Sequence, residues 1–305
     1  MRFNVRDFLP HIYSKRPILS TEEKVTGLTL TILGAFPDDA ATCMSVWIAI
    51  ILGIVEGLTE FLPVSSTGHL ILVAYALDFT GEKATSFEIA IQLGSILSVM
   101  VYFRRRLWQL LAGLPKNPLS RRLTAALAIA FIPAAILGLS VHKAIKAHLF
   151  DPIPVAAALI VGGVVILIVE HNLGRRHTQD LHQISLRQAW WVGIAQCFSL
   201  FPGVSRSGAT IIGGLLTGMN RTTATEFSFL LALPTMLAAT GYEIVRSHDV
   251  LLEGDPLLLP LGLVVSFVTG LAVVAGLLAF IRSHTFKPFA YYRIVLGVVI
   301  LALMR

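Results

Sequence analysis

A run of about twenty apolar residues is a length that only a bilayer demands, because a helix rising 1.5 Å per residue needs that many to cross a ~30 Å hydrocarbon core. Six stretches of this chain reach or approach it, at about 87–103, 123–141, 152–169, 226–245, 257–281 and 289–304. Charged residues make up only 14% of the 305, against the ~25% that soluble domains use to cover their surface. A soluble enzyme and a disordered chain are both excluded, and the fold class is an all-α polytopic membrane protein. The formal charge of +6 reads as basic cytoplasmic loops, not as nucleic-acid binding. Two cysteines, Cys43 and Cys197, cannot build a disulfide framework or a four-thiolate metal centre.

Two further apolar regions, 46–79 and 187–219, are each broken in the middle by Pro, Gly and Ser. Each half is too short to cross, so both read as re-entrant helical hairpins lining a polar cavity. The resulting expectation is six spanning helices plus two re-entrant hairpins. Loop charge agrees with this count. Loops 104–122, 170–187 and 282–288 fall on one side with eleven basic residues, including Arg104, Arg105, Arg106, Arg121, Arg122, Arg175, Arg176 and Lys287. The other side has three, Lys143, Lys146 and Arg246, the last near Asp249, Glu253 and Asp255. The first set is therefore cytoplasmic. The two broken regions also match each other at a constant offset of 140: Gly53 with Gly193, Glu56 with Gln196, Val64-Ser65 with Val204-Ser205, Gly68 with Gly208 and Phe87 with Phe227. Repeat 1 covers about 44–141 and repeat 2 about 187–281. Three crossings separate the copies, so the second is inverted, and the two hairpin tips are expected to meet near the midplane.

The tips carry the chemistry. The first reads Glu56-Gly-Leu-Thr-Glu60-Phe-Leu-Pro63-Val-Ser65-Ser66-Thr67-Gly68-His69. Glu56 and Glu60, four apart, share a helix face. Carboxylates inside a membrane are costly and mark function. Two of them can hold a divalent cation, one can act as a general base, and a structural pairing with an arginine is the plain alternative. Ser65, Ser66 and Thr67 lie between a proline break and a helix start, where hydroxyls serve as caps or substrate ligands. His69, one turn beyond Ser66, is placed to exchange a proton with it. The second tip, Pro202-Gly203-Val204-Ser205-Arg206-Ser207-Gly208-Ala209-Thr210, has the make-up of an anion cradle. Gly203 frees the backbone, Ser205, Ser207 and Thr210 add donors, and Arg206 brings a forked cation suited to phosphate. Arg206 could also merely neutralise Glu56 or Glu60.

Weaker candidates are Glu88 and Gln92, four apart at the start of a span and placed to line the cavity or bind its ions. Arg221 and Glu226 read as a helix entrance. Arg293, beside Tyr291 and Tyr292, reads as an interfacial anchor. His171, His177 and His182 lack metal-site spacing, and Cys197 reads as packing.

The two tip strings, with Phe87-Glu-Ile-Ala-Ile-Gln-Leu-Gly-Ser95 and Glu226-Phe-Ser-Phe-Leu-Leu-Ala-Leu-Pro234, closely resemble the bacterial undecaprenyl-diphosphate phosphatases, the bacitracin-resistance family. The resemblance runs from about Met44 to the C-terminus. It implies hydrolysis of undecaprenyl diphosphate to undecaprenyl phosphate and phosphate, which recycles the lipid carrier for peptidoglycan synthesis and confers bacitracin resistance. It further implies a multi-pass enzyme of the bacterial plasma membrane, dependent on a divalent cation, Mg²⁺ or Ca²⁺, with its site open to the outer face. By position, Glu56 and Glu60 match the family's acidic motif, with Glu56 and Glu60 as metal ligands. Ser66 matches its proposed nucleophile, His69 its proposed acid/base, and Ser205, Arg206, Ser207 and Thr210 its phosphate-binding segment. The oligomeric state, a homodimer included, stays open. A lipid-phosphate flippase of the same inverted-repeat architecture is the rival function.

Residues 1–43 lack a span, their longest apolar run being Leu28–Phe36, and the resemblance does not cover them. They read as an N-terminal extension outside the 44–305 membrane domain. A chain beginning at Met44 is therefore expected to insert and keep near-full phosphatase activity. A large loss of activity at normal membrane levels of the shortened chain contradicts this.

Overall fold

The computed structural model describes residues 45–148, 152–174, 178–246 and 256–303. The extension 1–43, His177 and the loop charges Arg175, Arg176, Asp249, Glu253 and Asp255 lie outside them. The described residues form eleven α-helices: α1 Val46–Thr59, α2 Ser66–Ala76, α3 Glu82–Tyr102, α4 Arg104–Gly113, α5 Pro118–His148, α6 Pro152–His171, α7 Leu186–Cys197, α8 Arg206–Leu216, α9 Arg221–Arg246, α10 Leu258–Phe280 and α11 Lys287–Leu303. Five of them are long and apolar enough to cross a membrane: α3, α5, α6, α9 and α10. The sixth expected span, 289–304, falls on α11, which has 17 residues. The broken regions 46–79 and 187–219 are the helix pairs α1–α2 and α7–α8, none longer than 14 residues.

The offset of 140 reappears in the element bounds. Helices α2 and α8 begin at 66 and 206 and end at 76 and 216, while α5 and α10 begin at 118 and 258. Their packing is exchanged. Helix α10, in the second copy, lies against α1 and α3 of the first; α5, in the first copy, lies against α7 and α9 of the second. Helices α3 and α9 pack together, as do α6 and α11.

Small residues make the α10 contact possible. Leu258, Gly262, Ser266, Gly270 and Val274, spaced by four, form its buried stripe. Apolar side chains gain little from helix association in lipid, so close backbone approach and polar contacts hold such helices together. A Cβ at Gly57 of α1 would stand 2.7 Å from the Ser266 carbonyl oxygen, and one at Gly94 of α3 2.3 Å from that of Leu263. The Ser95 hydroxyl on α3 meets that of Ser266 at 2.9 Å. At one end of the bundle, Glu170 closing α6 takes both Arg221 Nε (3.0 Å) and the Phe286 amide (2.9 Å). That bond ties α6, α9 and the start of α11. Arg221 is thus the ion-pair partner of Glu170, and Glu226 that of Arg106 of α4, from which it accepts at 2.5 Å. Cys197 is packing, its thiol turned to the Gly193 carbonyl at 3.4 Å.

Gly94→Val forces α3 off α10. The variant is expected to lose about 1–3 kcal/mol, the range for overfilling a packed interface, as a lower unfolding midpoint of the purified protein in detergent. An unchanged midpoint contradicts the close-approach reading.

Candidate active site

Each tip is a helix, a break, and a helix capped by a strained serine. Ser65 and Ser205 hold φ of 73° and 74°, a region that non-glycine residues adopt only when the surroundings compel it. Each then caps its helix in the same way: the Ser65 hydroxyl accepts from the Gly68 amide at 3.4 Å and the Ser205 hydroxyl from Gly208 at 3.1 Å. The first amides of α2 and α8, ahead of those caps, have no acceptor within their own helix.

The tips touch through side chains that the sequence brings from opposite copies. Arg206 Nη2 donates to Glu60 Oε1 at 3.2 Å. Ser66 donates its hydroxyl to the other oxygen, Glu60 Oε2, at 2.6 Å. Ser207 donates to the Leu62 carbonyl at 2.8 Å and shares a 3.0 Å contact with Ser205. Arg206 Nη1 donates to the Ser228 carbonyl at 3.2 Å, and its guanidinium lies over the Phe61 ring, 5.7 Å from the centroid. Phe61 in turn packs edge-to-face on Phe229. Thr210 meets the Ser228 hydroxyl at 2.6 Å and donates to the Arg206 carbonyl, so it steadies the α8 start. Thr67 stands half-buried in the first turn of α2.

Two charged groups are buried without full satisfaction. Both oxygens of Glu56, whose residue is 0% exposed, have no hydrogen-bond partner among the described residues, and neither does Nε of Arg206. Ser95 stands beside Glu56, and its hydroxyl shares a 2.9 Å contact with that of Ser266 in which either can donate. An unpartnered carboxylate in a low-dielectric interior costs several kcal/mol. A divalent cation is the partner that fits a pair of carboxylates on one helix face, and an anionic oxygen fits the free Arg206 Nε–H. No cluster of three or more His, Cys, Asp or Glu side chains suited to a metal occurs among the described residues. Mg²⁺, however, is commonly held by one or two carboxylates together with substrate phosphates. The donor set therefore fits.

Two expectations are corrected. Ser66 and His69 do not pair. His69 Nδ1 lies 2.7 Å from the Ser65 carbonyl and Nε2 2.7 Å from the Tyr292 hydroxyl. A carbonyl only accepts, so Nδ1 carries the proton, and in the neutral ring Nε2 accepts from Tyr292. The group beside the Ser66 hydroxyl is Glu60, because the strained Ser65 starts α2 in a direction that turns Ser66 back across the break. Arg293 is likewise no interfacial anchor. It is 1% exposed and donates to the carbonyls of Pro63 (3.1 Å), Gly203 (3.0 Å) and Val204 (3.0 Å), and to Ala158 and Leu159 of α6. It clasps both tips to α6. Gly203, at φ 91°, leaves no room for a side chain, since a Cβ there would meet the Val155 carbonyl at 2.6 Å. Sequence reading missed Arg293 because a Tyr-Tyr-Arg string also marks membrane interfaces. The signal available was its position inside an otherwise apolar helix.

Comparison with known proteins gives a consistent picture. The family described as Bacitracin resistance protein BacA matches residues 49–299. "Undecaprenyl-diphosphatase 1" of Pseudomonas fluorescens (strain Pf0-1) is 51% identical over 262 residues, covering 85% of this chain and 95% of that protein. "Undecaprenyl-diphosphatase 2" of Rhodospirillum rubrum is 52% identical over 256 residues, covering 83% and 93%. "Undecaprenyl-diphosphatase" of Caldanaerobacter subterraneus subsp. tengcongensis is 49% identical over 259 residues, covering 84% and 95%.

Arg293→Met removes the clasp and leaves buried carbonyls of both tips without a donor. A loss of at least ~3 kcal/mol in unfolding free energy is expected. An interfacial anchor predicts less than ~1 kcal/mol, the usual effect of a surface change. Denaturant unfolding in detergent decides between them.

Proposed function

The chain belongs to the bacitracin resistance protein BacA family, and we propose on that premise that it is an undecaprenyl-diphosphatase, a hydrolase that releases phosphate from undecaprenyl diphosphate within the membrane. The observation that carries this reading to the residues is the pair of unsatisfied buried groups of opposite sign, the Glu56 carboxylate and the Arg206 Nε–H. A diphosphate accompanied by a divalent cation satisfies both at once.

The chemistry follows from the bonds at the tips. Ser66 Oγ attacks the terminal phosphorus and its proton passes to Glu60 Oε2, 2.6 Å away. The bond to the bridging oxygen breaks, and undecaprenyl phosphate leaves. Arg206 and the first amides of α8 hold the transferred phosphoryl oxygens, where positioning and charge do most of the work of phosphoryl transfer. The N-terminal end of α8 adds favourable potential for the anion. Water then cleaves the phosphoserine: Glu60 returns its proton to Ser66 Oγ as that oxygen leaves, takes the proton of the attacking water, and passes it on with the released phosphate. His69, held by Ser65 and Tyr292, steadies the first tip. Glu56 and Glu60 are the residues that would hold Mg²⁺ or Ca²⁺, which when bound supplies charge neutralisation at the diphosphate. Ser65, Thr67, Gly203, Ser205, Ser207 and Thr210 shape the cradle.

The same reading gives α1–α2 and α7–α8 as re-entrant hairpins of an inverted repeat, supported by the shared bounds and the exchanged packing of α5 and α10. The basic loop residues Arg104–Arg106, Arg121 and Arg122 favour the cytoplasmic side for the α3–α5 connection. The site then opens to the outer face of the bacterial plasma membrane.

Purified protein in detergent, with no second compartment, is expected to release phosphate from undecaprenyl diphosphate; absence of release removes the hydrolase reading in favour of transport. Ser66→Ala and Glu60→Gln should each lower kcat by at least ~10²-fold. Their double variant should be little worse than either, because residues that act as a unit are not additive. Losses that multiply in the double variant contradict a shared proton transfer.

A further inference from the structure

One carboxylate close to the site has no part in the chemistry above. Glu88, in the second turn of α3, is half-buried and has no hydrogen bond or ion pair among the described residues. An unpaired carboxylate inside a spanning helix needs a reason. The repeat locates it. At the offset of 140 Glu88 corresponds to Ser228, and Ser228 stands at the root of the second tip, bonded to Thr210 and accepting from Arg206. Glu88 occupies the equivalent place beside the first tip, next to Phe87, which packs in one apolar cluster with Leu70 of α2 and Leu52 of α1.

From Glu88 a polar stripe follows one face of α3 inward. Gln92 is one turn on and takes the Thr240 hydroxyl at 3.3 Å. Ser95 follows, bonded to Ser266, the residue whose carbonyl Gly57 of α1 closely approaches. The stripe thus ends at Glu56, fully buried with both oxygens unpartnered. Glu88 also lies close enough for its charge to act on Glu56. It is not part of a three-residue metal cluster, so it does not ligate an ion already held at Glu56 and Glu60.

We propose that Glu88, at the head of the Glu88–Gln92–Ser95 face of α3, tightens the hold of a divalent cation at Glu56 by its charge. The proposal rests on the reading of Glu56 and Glu60 as cation ligands. A nearby carboxylate in a poorly screened interior changes a divalent ion's affinity by a measurable factor without touching it. It also accounts for a glutamate where the second copy, which brings the phosphate cradle, needs only a serine.

The test uses Mn²⁺ alone, titrated by calorimetry or by the spin-resonance signal of the free ion, on the full chain in detergent. The wild type is expected to bind it saturably, Glu88→Gln at least about five-fold more weakly, and Glu88→Asp within two-fold of wild type by keeping the charge (about the reproducibility of such a titration). Glu226→Gln, which removes a carboxylate paired with Arg106, should leave the affinity unchanged and so exclude a general effect of net charge. Gln92→Glu adds a carboxylate one turn further in and should tighten binding; it keeps the proposal testable if Glu88→Gln fails to fold. Wild-type affinity in Glu88→Gln, or in Gln92→Glu, overturns the role of Glu88 and leaves the cation site at Glu56 and Glu60 standing. Absence of saturable Mn²⁺ binding in the wild type overturns that site and this proposal together.

Discussion

The tips depend on Arg293. A helix broken inside a membrane frees backbone carbonyls that lipid cannot satisfy, and each orphan costs several kcal/mol. The break at Pro63 and the break at Gly203-Val204 are answered by one guanidinium, from a third element, that donates to all three carbonyls and to α6 behind them. A planar group with five donors can do this, whereas an ammonium with three donors cannot reach as many. Because a trans peptide is planar, fixing the Val204 carbonyl toward Arg293 also fixes the Ser205 amide, which points the opposite way. The clasp that satisfies the backbone therefore also holds the peptide that leads into the capping Ser205.

Once the tips are held, their differences give the site its polarity. The same backbone is used twice: a serine at positive φ, a cap to the glycine three residues on, a helix of equal length. On it one copy places Glu56, Glu60 and Ser66, and the other Arg206 where the first has Ser66. The Arg206–Glu60 pair joins the two halves across the break. It leaves Ser66 against one carboxylate oxygen and the arginine against the other. Each group thereby fixes its neighbour: the arginine anchors one carboxylate oxygen, and the other keeps the serine hydroxyl aimed.

Much of this was legible from spacing. The bilayer-length runs, the two broken regions and the offset of 140 are arithmetic on the sequence, and the helix bounds at 66–76 and 206–216 obey that arithmetic. Glu56, Glu60, Ser66 and Arg206 were legible as candidates because charge and hydroxyl at a proline break in an apolar run have few other uses. Direction was not legible. Helical spacing puts His69 one turn from Ser66, yet both ring nitrogens are engaged elsewhere, because the positive φ of Ser65 sets where the first turn of α2 points. Nor was Arg293, whose partners are carbonyls 89 to 230 residues distant in sequence. Backbone oxygens occur at every residue, so no side-chain pattern announces them.

The central claim is that Ser66, with Glu60 taking its proton, forms the bond to phosphorus. Its most direct measurement is an acid quench of the enzyme during turnover of undecaprenyl diphosphate labelled in the terminal phosphate, followed by peptide mapping. The account predicts a phosphoserine at position 66, absent in Ser66→Ala and more persistent where Glu60 is changed to Gln, since the same carboxylate serves the second step. Full turnover with no covalent phosphate at any time point, and substantial activity in Ser66→Ala, would contradict it and assign the attack to water.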